Sequence, residues 1–183
     1  VPRKRSELER EDKIAEILAV AQRQLAEGGY RNLSVKALAS ELGLAQAAVY
    51  WYFPTKDHVF VTAVENSFMD AWSRKPKTAT LEKQVQWFGD ELVSLHPYIS
   101  ALRERAAESE VARTFLAGVE TTLLAILGGA LQAQTSAAKP SETAEMILAI
   151  LEGLAARRVP PRRRRALVAA ALAELAPRAP DTG

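Results

Sequence analysis

Apolar residues recur at helical spacing along almost the whole of this 183-residue chain, and no stretch shows sustained two-residue alternation between hairpin turns. An all-α fold is the economical solution. Leu8, Ile14, Ile17, Leu18, Ala21 and Leu25 form one stripe on a first helix that Gly28-Gly29 should end. Ser34 is placed to cap a short helix over 35–42, and Gly43 closes it. A third helix is expected from about Gln46 to Tyr52, where Pro54 forbids its continuation because proline has no amide donor and clashes with the preceding turn. Thr55 can cap a long fourth helix that runs to the segment 74–80. Further helices are predicted over 81–95, 98–108, 110–134, 141–157 and 162–175, separated by His96-Pro97, Pro140 and Pro160-Pro161. Gly118 and Gly128-Gly129, inside the longest of these, suggest a bend or a close helix approach.

Composition removes several classes of function. The chain has no cysteine, which excludes a disulfide framework, an iron–sulfur cluster and thiol catalysis, and only two histidines, His58 and His96, which leave little for a metal site. No nucleophile is gathered with a base and no pair of carboxylates stands out, so no catalytic residue, metal or cofactor is assigned and an enzyme is not expected. With 24 Lys+Arg against 22 Asp+Glu, any affinity for nucleic acid must come from local clustering. No apolar run comes near the roughly 20 residues of a membrane span, and the basic start at Arg3, Lys4 and Arg5 runs into charged residues rather than a signal-peptide core. A soluble, cytoplasmic protein is expected, its first residues a mobile tail or an arm for a DNA minor groove.

The segment 33–59, LSVKALASELGLAQAAVYWYFPTKDHV, has the design of a helix-turn-helix. Small Ala39 faces the crossing and Gly43 permits the turn. Leu44 and Val49 can close a miniature core against Leu38 and Phe53, which leaves Gln46, Ala47, Tyr50 and Trp51 outside. The second helix would then lie in a major groove.

In these residues the chain resembles the tetracycline-repressor (TetR) family of bacterial regulators. The resemblance rests on the helix-turn-helix followed by Val49-Tyr50-Trp51-Tyr52-Phe53-Pro54-Thr55-Lys56-Asp57, with Val59 completing the start of helix four, and covers about 14–64. It implies that Lys36, Gln46, Ala47, Trp51 and Tyr52 face bases or nearby backbone, and that Tyr50 and Lys56 contact phosphates. The chemistry agrees: Lys56 falls in the first turn of a helix, where free amides and an ammonium converge on an anion. A Gln can pair with adenine, a Lys can reach guanine, and an Ala methyl can meet a thymine methyl. Ala45 departs from the family, which often has Ser or Thr there as a cap.

The resemblance further implies an N-terminal three-helix domain, 1–56, joined by a long helix to a C-terminal bundle, 57–183, for ligand binding and dimerisation. Aromatic and apolar residues able to line a pocket for an apolar or aromatic ligand are Phe60, Val64, Phe68, Trp87, Phe115, Leu123 and Met146, with Glu120 the one acid in an apolar part of its helix. The cluster Arg157, Arg158 and Arg162 to Arg165 is the densest charge and could bind nucleic acid, anionic lipid or an acidic partner; the plain reading, which is preferred, is that cations in the last turn of one helix favour its dipole and the others solvate a loop. The expected function is a ligand-responsive repressor that binds a palindromic operator as a homodimer through its last two helices and is released by a small molecule. The competing expectation is a helical interaction protein that keeps the fold without binding DNA specifically.

Overall fold

A computed structural model of the chain describes residues 2–77 and 79–176, with side chains from Glu7 onward. Among them lie eight helices: α1 Pro2–Asn32, α2 Val35–Glu41, α3 Gln46–Tyr52, α4 Lys56–Ser73, α5 Leu81–Ala106, α6 Glu110–Gln134, α7 Pro140–Ala156 and α8 Pro161–Leu175. The fold is all-α, as the periodicity requires. Helix α1 already begins at Pro2, so the backbone there is helical rather than a free tail; the side chains of Arg3, Lys4 and Arg5 lie outside the described residues.

The helices divide between two compact units, one formed by residues 1–70 and 97–116, the other by 71–96 and 117–183. The boundary expected after residue 56 thus falls inside the first unit. Its core draws Ile17, Leu18, Ala21 and Leu25 from α1, Leu38 and Ala39 from α2, Val49 from α3, Phe60 and Val64 from α4 and Leu102 from α5. Leu8, assigned to the α1 stripe by spacing, is 53% exposed, because the helix runs beyond the elements that bury its later turns.

Local chemistry fixes the turns of the first unit. At Gly28-Gly29 the backbone leaves helical geometry, and Gly29 takes φ 65, ψ −158, a region that is essentially glycine's alone. Ser34 Oγ accepts from the Ala37 amide at 3.2 Å and caps α2. Helix α2 ends in a Schellman motif: Leu44 N–H donates to Ala39 O at 2.8 Å and Gly43 N–H to Ser40 O at 3.2 Å, with Gly43 at φ 65. Ala45 supplies no side-chain cap to α3. From α1, Gln22 Nε2 donates to Ala63 O and Ser67 Oγ of α4, both at 3.2 Å, so α1 and α4 are tied by polar as well as apolar contacts.

In the long helices the structure differs from expectation at Pro97 and in the apolar length of α6. His96-Pro97 does not separate two helices; α5 runs unbroken through Pro97. A proline costs the helix one donor, but here it interrupts no apolar stripe, since Leu92, Leu95, Leu102 and Ala106 are all buried. In α6, a Cβ added at Gly118, Gly128 or Gly129 meets nothing within 4 Å, so these glycines serve no close approach. The close approach is at Gly89, where a Cβ would stand 3.1 Å from Leu151 Cδ2. Helix α6 also contains an 18-residue window of mean hydropathy 1.6, only 11% of it buried, so one helix is long and apolar enough to cross a membrane after all. It carries Glu110, Arg113 and Glu120 and lends buried Ala112 to the first unit and buried Leu127 and Leu131 to the second.

In the second unit the arginine cluster is partly structural. Arg164 is buried, donates from NH1 to Val159 O at 2.9 Å and from NH2 to Asp90 Oδ1, while Arg165 reaches Asp90 Oδ2 at 3.5 Å. The plain reading of a solvated loop holds for its exposed members only. Helix α7 closes with a second Schellman motif, Val159 N–H to Leu154 O at 3.1 Å and Arg158 N–H to Ala155 O at 3.0 Å, but Arg158 occupies the left-handed position at φ 49. A side chain there costs about 1 kcal/mol that glycine avoids. Arg158→Gly should therefore raise stability by about 1 kcal/mol in urea unfolding, and Arg158→Ala should not; equal effects of both would place the gain in removal of the charge.

Candidate nucleic-acid interface

Helix α3 has one buried side chain, Val49, which faces the core with Phe53 just beyond the helix end. With that face fixed, Gln46, Ala47, Tyr50 and Trp51, at spacing i, i+1, i+4, i+5, share the opposite one. All four are exposed, Tyr50 at 38% and Trp51 at 69%. Among the exposed large apolar side chains of the described residues Trp51 is the most exposed. Tyr52 is half-buried against the core, with its ring centroid 4.8 Å from that of Trp51, edge to face. Lys36 is exposed on α2. Arg10 of α1 stands 5.5 Å from the Trp51 ring centroid, a cation beside the same face that the spacing of α3 does not reveal.

At the start of α4, Thr55 Oγ1 accepts from the His58 amide at 3.3 Å and lies 2.9 Å from His58 Nδ1, which leaves the amides of Lys56 and Asp57 at the open end of the helix. Lys56 is half-buried, its ammonium 4.1 Å from the Tyr30 ring centroid. Beside it, Asp57 is held from two other helices, α5 and α1. Arg105 donates from Nε to Oδ1 at 2.9 Å and from NH2 to Oδ2 at 3.0 Å, and Tyr30 Oη donates to Oδ1 at 2.5 Å. The Arg105 guanidinium also lies 4.9 Å from the Tyr30 ring and donates to Glu108 at 2.5 Å.

These contacts move the titrations. Hydrogen bonding to Arg105 outweighs desolvation and takes Asp57 down to about 2 from 3.8, while burial and then the Asp57 hydrogen bond push Tyr30 up from 10.0 to about 12. Lys56 is lowered, first by desolvation, and Arg105 is raised, first by Asp57. Charged Asp57 and neutral Tyr30 are the forms the fold favours. Their contribution to stability is present between about pH 4 and pH 10, is lost as pH falls through about 2 at Asp57, and is lost as pH rises through about 12 at Tyr30. Asp57→Asn should cost about 2 kcal/mol at pH 7 and flatten the stability curve between about pH 4 and pH 2; an unchanged acid limb would show that Asp57 is not the group responsible.

Of the expected ligand-lining residues, Phe60, Val64, Phe68 and Phe115 belong to the first unit and Trp87, Glu120, Leu123 and Met146 to the second. Phe60 and Val64 are fully buried in the core of the first unit, and Phe68 and Phe115 stack there with centroids 6.2 Å apart. Met146 is 45% exposed on α7, and Glu120 is half-buried on α6. Trp87 and Leu123 line a common cavity, an apolar space of about 40 Å³ in the second unit with Trp72, Phe88, Val85 and Leu127. Helical spacing marks an apolar face without saying whether a neighbour or a void covers it. It also misses Tyr30 and Arg105: the first sits just past a glycine pair that could have signalled a redirected chain, but nothing in the sequence pairs Arg105 with Asp57, 48 residues away.

Comparison with known proteins places these observations. Residues 17–63, which contain α2, α3 and the start of α4, match the family model for bacterial regulatory proteins of the tetR family. Among curated proteins none matches the sequence. A transcriptional regulator from Rhodococcus sp. Rha1 superposes with TM-score 0.75 at 19% identity, covering 88% of this chain and 95% of its own. A TetR transcription regulator from Haloarcula marismortui does so with TM-score 0.72 at 19% identity, covering 91% and 99%. A Saccharomonospora viridis structure in complex with choline gives TM-score 0.73 at 16% identity, covering 90% and 97%. The helix-turn-helix region thus matches the tetR family over residues 17–63, and the chain shares the fold of TetR-family regulators.

Proposed function

We propose that this protein is a ligand-responsive regulator of transcription that represses by binding a palindromic operator as a homodimer. The observation that carries this reading is the α3 face: Gln46, Ala47, Tyr50 and Trp51 stand exposed together on a helix whose other side is locked into the core. In a major groove, Gln46 reads base edges, Ala47 meets a thymine methyl, and Trp51 and Tyr52 lie at the groove wall, with Lys36 reaching a base or nearby backbone. Tyr50 and Lys56 hold phosphates. One helix of two turns reads only a few base pairs, so two copies about 34 to 36 Å apart, one turn of DNA, supply the specificity. The last two helices, α7 and α8, form the dimer interface in this reading.

The effector is a small apolar or aromatic molecule, and its entry point is the cavity at Trp72, Trp87, Phe88 and Leu123. That choline occupies a protein of this fold supports a small-molecule effector without identifying it. A cavity of about 40 Å³ has room for only a few waters, so any larger guest must part the helices around it, which is the differential interaction a switch requires. A cytoplasmic place and the absence of catalysis belong to the same reading.

Selection of fragments from random and genomic DNA by the purified protein should return a palindrome with half-sites one turn apart. On that site Lys56→Ala and Tyr50→Phe should both weaken binding; Lys56→Ala should also lower the slope of log K against log salt by about 1 for each phosphate its ammonium neutralised, whereas Tyr50→Phe, which removes a hydrogen bond and no charge, should leave the slope unchanged. Enrichment of no sequence by folded protein contradicts the proposal and favours a helical interaction protein.

A further inference from the structure

A lysine next to an aspartate in the first turn of a helix has an obvious partner within reach, and an ammonium paired to its own neighbour is a poor ligand for phosphate. In this chain that partner is already taken. Both oxygens of Asp57 accept from Arg105, at 2.9 and 3.0 Å, and Oδ1 also accepts from Tyr30 Oη at 2.5 Å. The Lys56 ammonium instead stands 4.1 Å from the Tyr30 ring centroid. A ring face attracts a cation but leaves its remaining N–H groups free for an anion.

The seat itself is built into the core. Tyr30 packs edge to face on Phe60, centroids 5.1 Å apart at 78°, and Phe60 is fully buried. The turn at Gly29, in its glycine-only conformation, delivers Tyr30 from α1 to the start of α4. A single tyrosine therefore offers its hydroxyl to Asp57 and its ring to Lys56.

We propose that Tyr30 and Arg105 are positioning residues for the phosphate contact of Lys56: the Tyr30 ring seats the ammonium at the open end of α4, and Arg105 occupies Asp57 so that the carboxylate does not capture it. This rests on the DNA-binding reading above and adds to it how the phosphate contact is prepared before DNA arrives. It also makes the end of α5 part of the DNA-binding apparatus, although Arg105 touches no DNA.

The test is a double-mutant cycle on affinity for the selected palindromic duplex, with circular dichroism to show that each variant is folded. Tyr30→Leu, which removes the ring, should weaken binding about five- to tenfold, whereas Tyr30→Phe, which keeps it, should stay within about twofold. In a Lys56→Ala background, Tyr30→Leu should have no further effect, because the group it positions is gone. A second arm does not depend on Tyr30: Arg105→Gln should weaken binding, and Asp57→Asn added to it should restore affinity by removing the competing carboxylate. An equal weakening by Tyr30→Leu with and without Lys56, or no rescue by Asp57→Asn, would overturn the positioning role and leave the DNA reading intact. Unchanged affinity and salt slope in Lys56→Ala alone would instead overturn the phosphate contact, and the positioning role with it.

Discussion

Complete burial of Phe60 and Val64 is the constraint on which the helix-turn-helix depends. Helices α2 and α3 have seven residues each, too short to be stable in isolation, and α3 contributes a single buried side chain. Their apolar faces find cover only because α1 and the first turns of α4 close over them. A buried Phe contributes about 2 to 3 kcal/mol from transfer alone, a large share of the net stability of a small domain. The start of α4 is consequently not a linker beside the helix-turn-helix but part of its core, which is why the compact unit reaches past residue 56.

Above that apolar floor sits a polar arrangement with a different task. Asp57, Arg105 and Tyr30 satisfy one another in a half-buried place where an unpaired charge would cost several kcal/mol. The geometry is well suited to specifying position: a bidentate guanidinium and a phenol define where the first turn of α4 begins, and with it where Lys56 stands. Burial supplies most of the free energy and the charged cluster supplies the alignment. Helix α5, which ends in this cluster, therefore shares in the organisation of a surface it does not itself reach.

Much of this was legible in the residues, and the exceptions have physical causes. Gly43 announced a helix end and forms one; Arg158 makes the same motif with the same hydrogen bonds and gave no signal, because an arginine in left-handed conformation is tolerated rather than encoded. Pro97 read as a boundary, yet apolar residues on both sides keep one helical register and the helix passes through it. The exposed face of α3 followed from spacing alone, since the single Val49 sets which side is in. Phe60 and Val64 lie in the core of the first unit, and periodicity could report only that their face is buried, since whether a void lies behind it depends on side chains from other helices. Arg105 was invisible for the same reason: ion pairs across 48 residues are made by the fold.

The most direct test of the account is a nuclear magnetic resonance titration of the protein with a duplex carrying the selected site, following backbone and side-chain signals residue by residue. The account predicts that the largest perturbations fall on Gln46, Tyr50, Trp51 and Lys56, with Tyr30 affected next and the exposed arginines of the turn from α7 to α8 unmoved. Perturbations concentrated on Arg157, Arg158, Arg162 and Arg163, with the α3 face silent, would contradict it and assign nucleic-acid contact to the other basic surface of the chain.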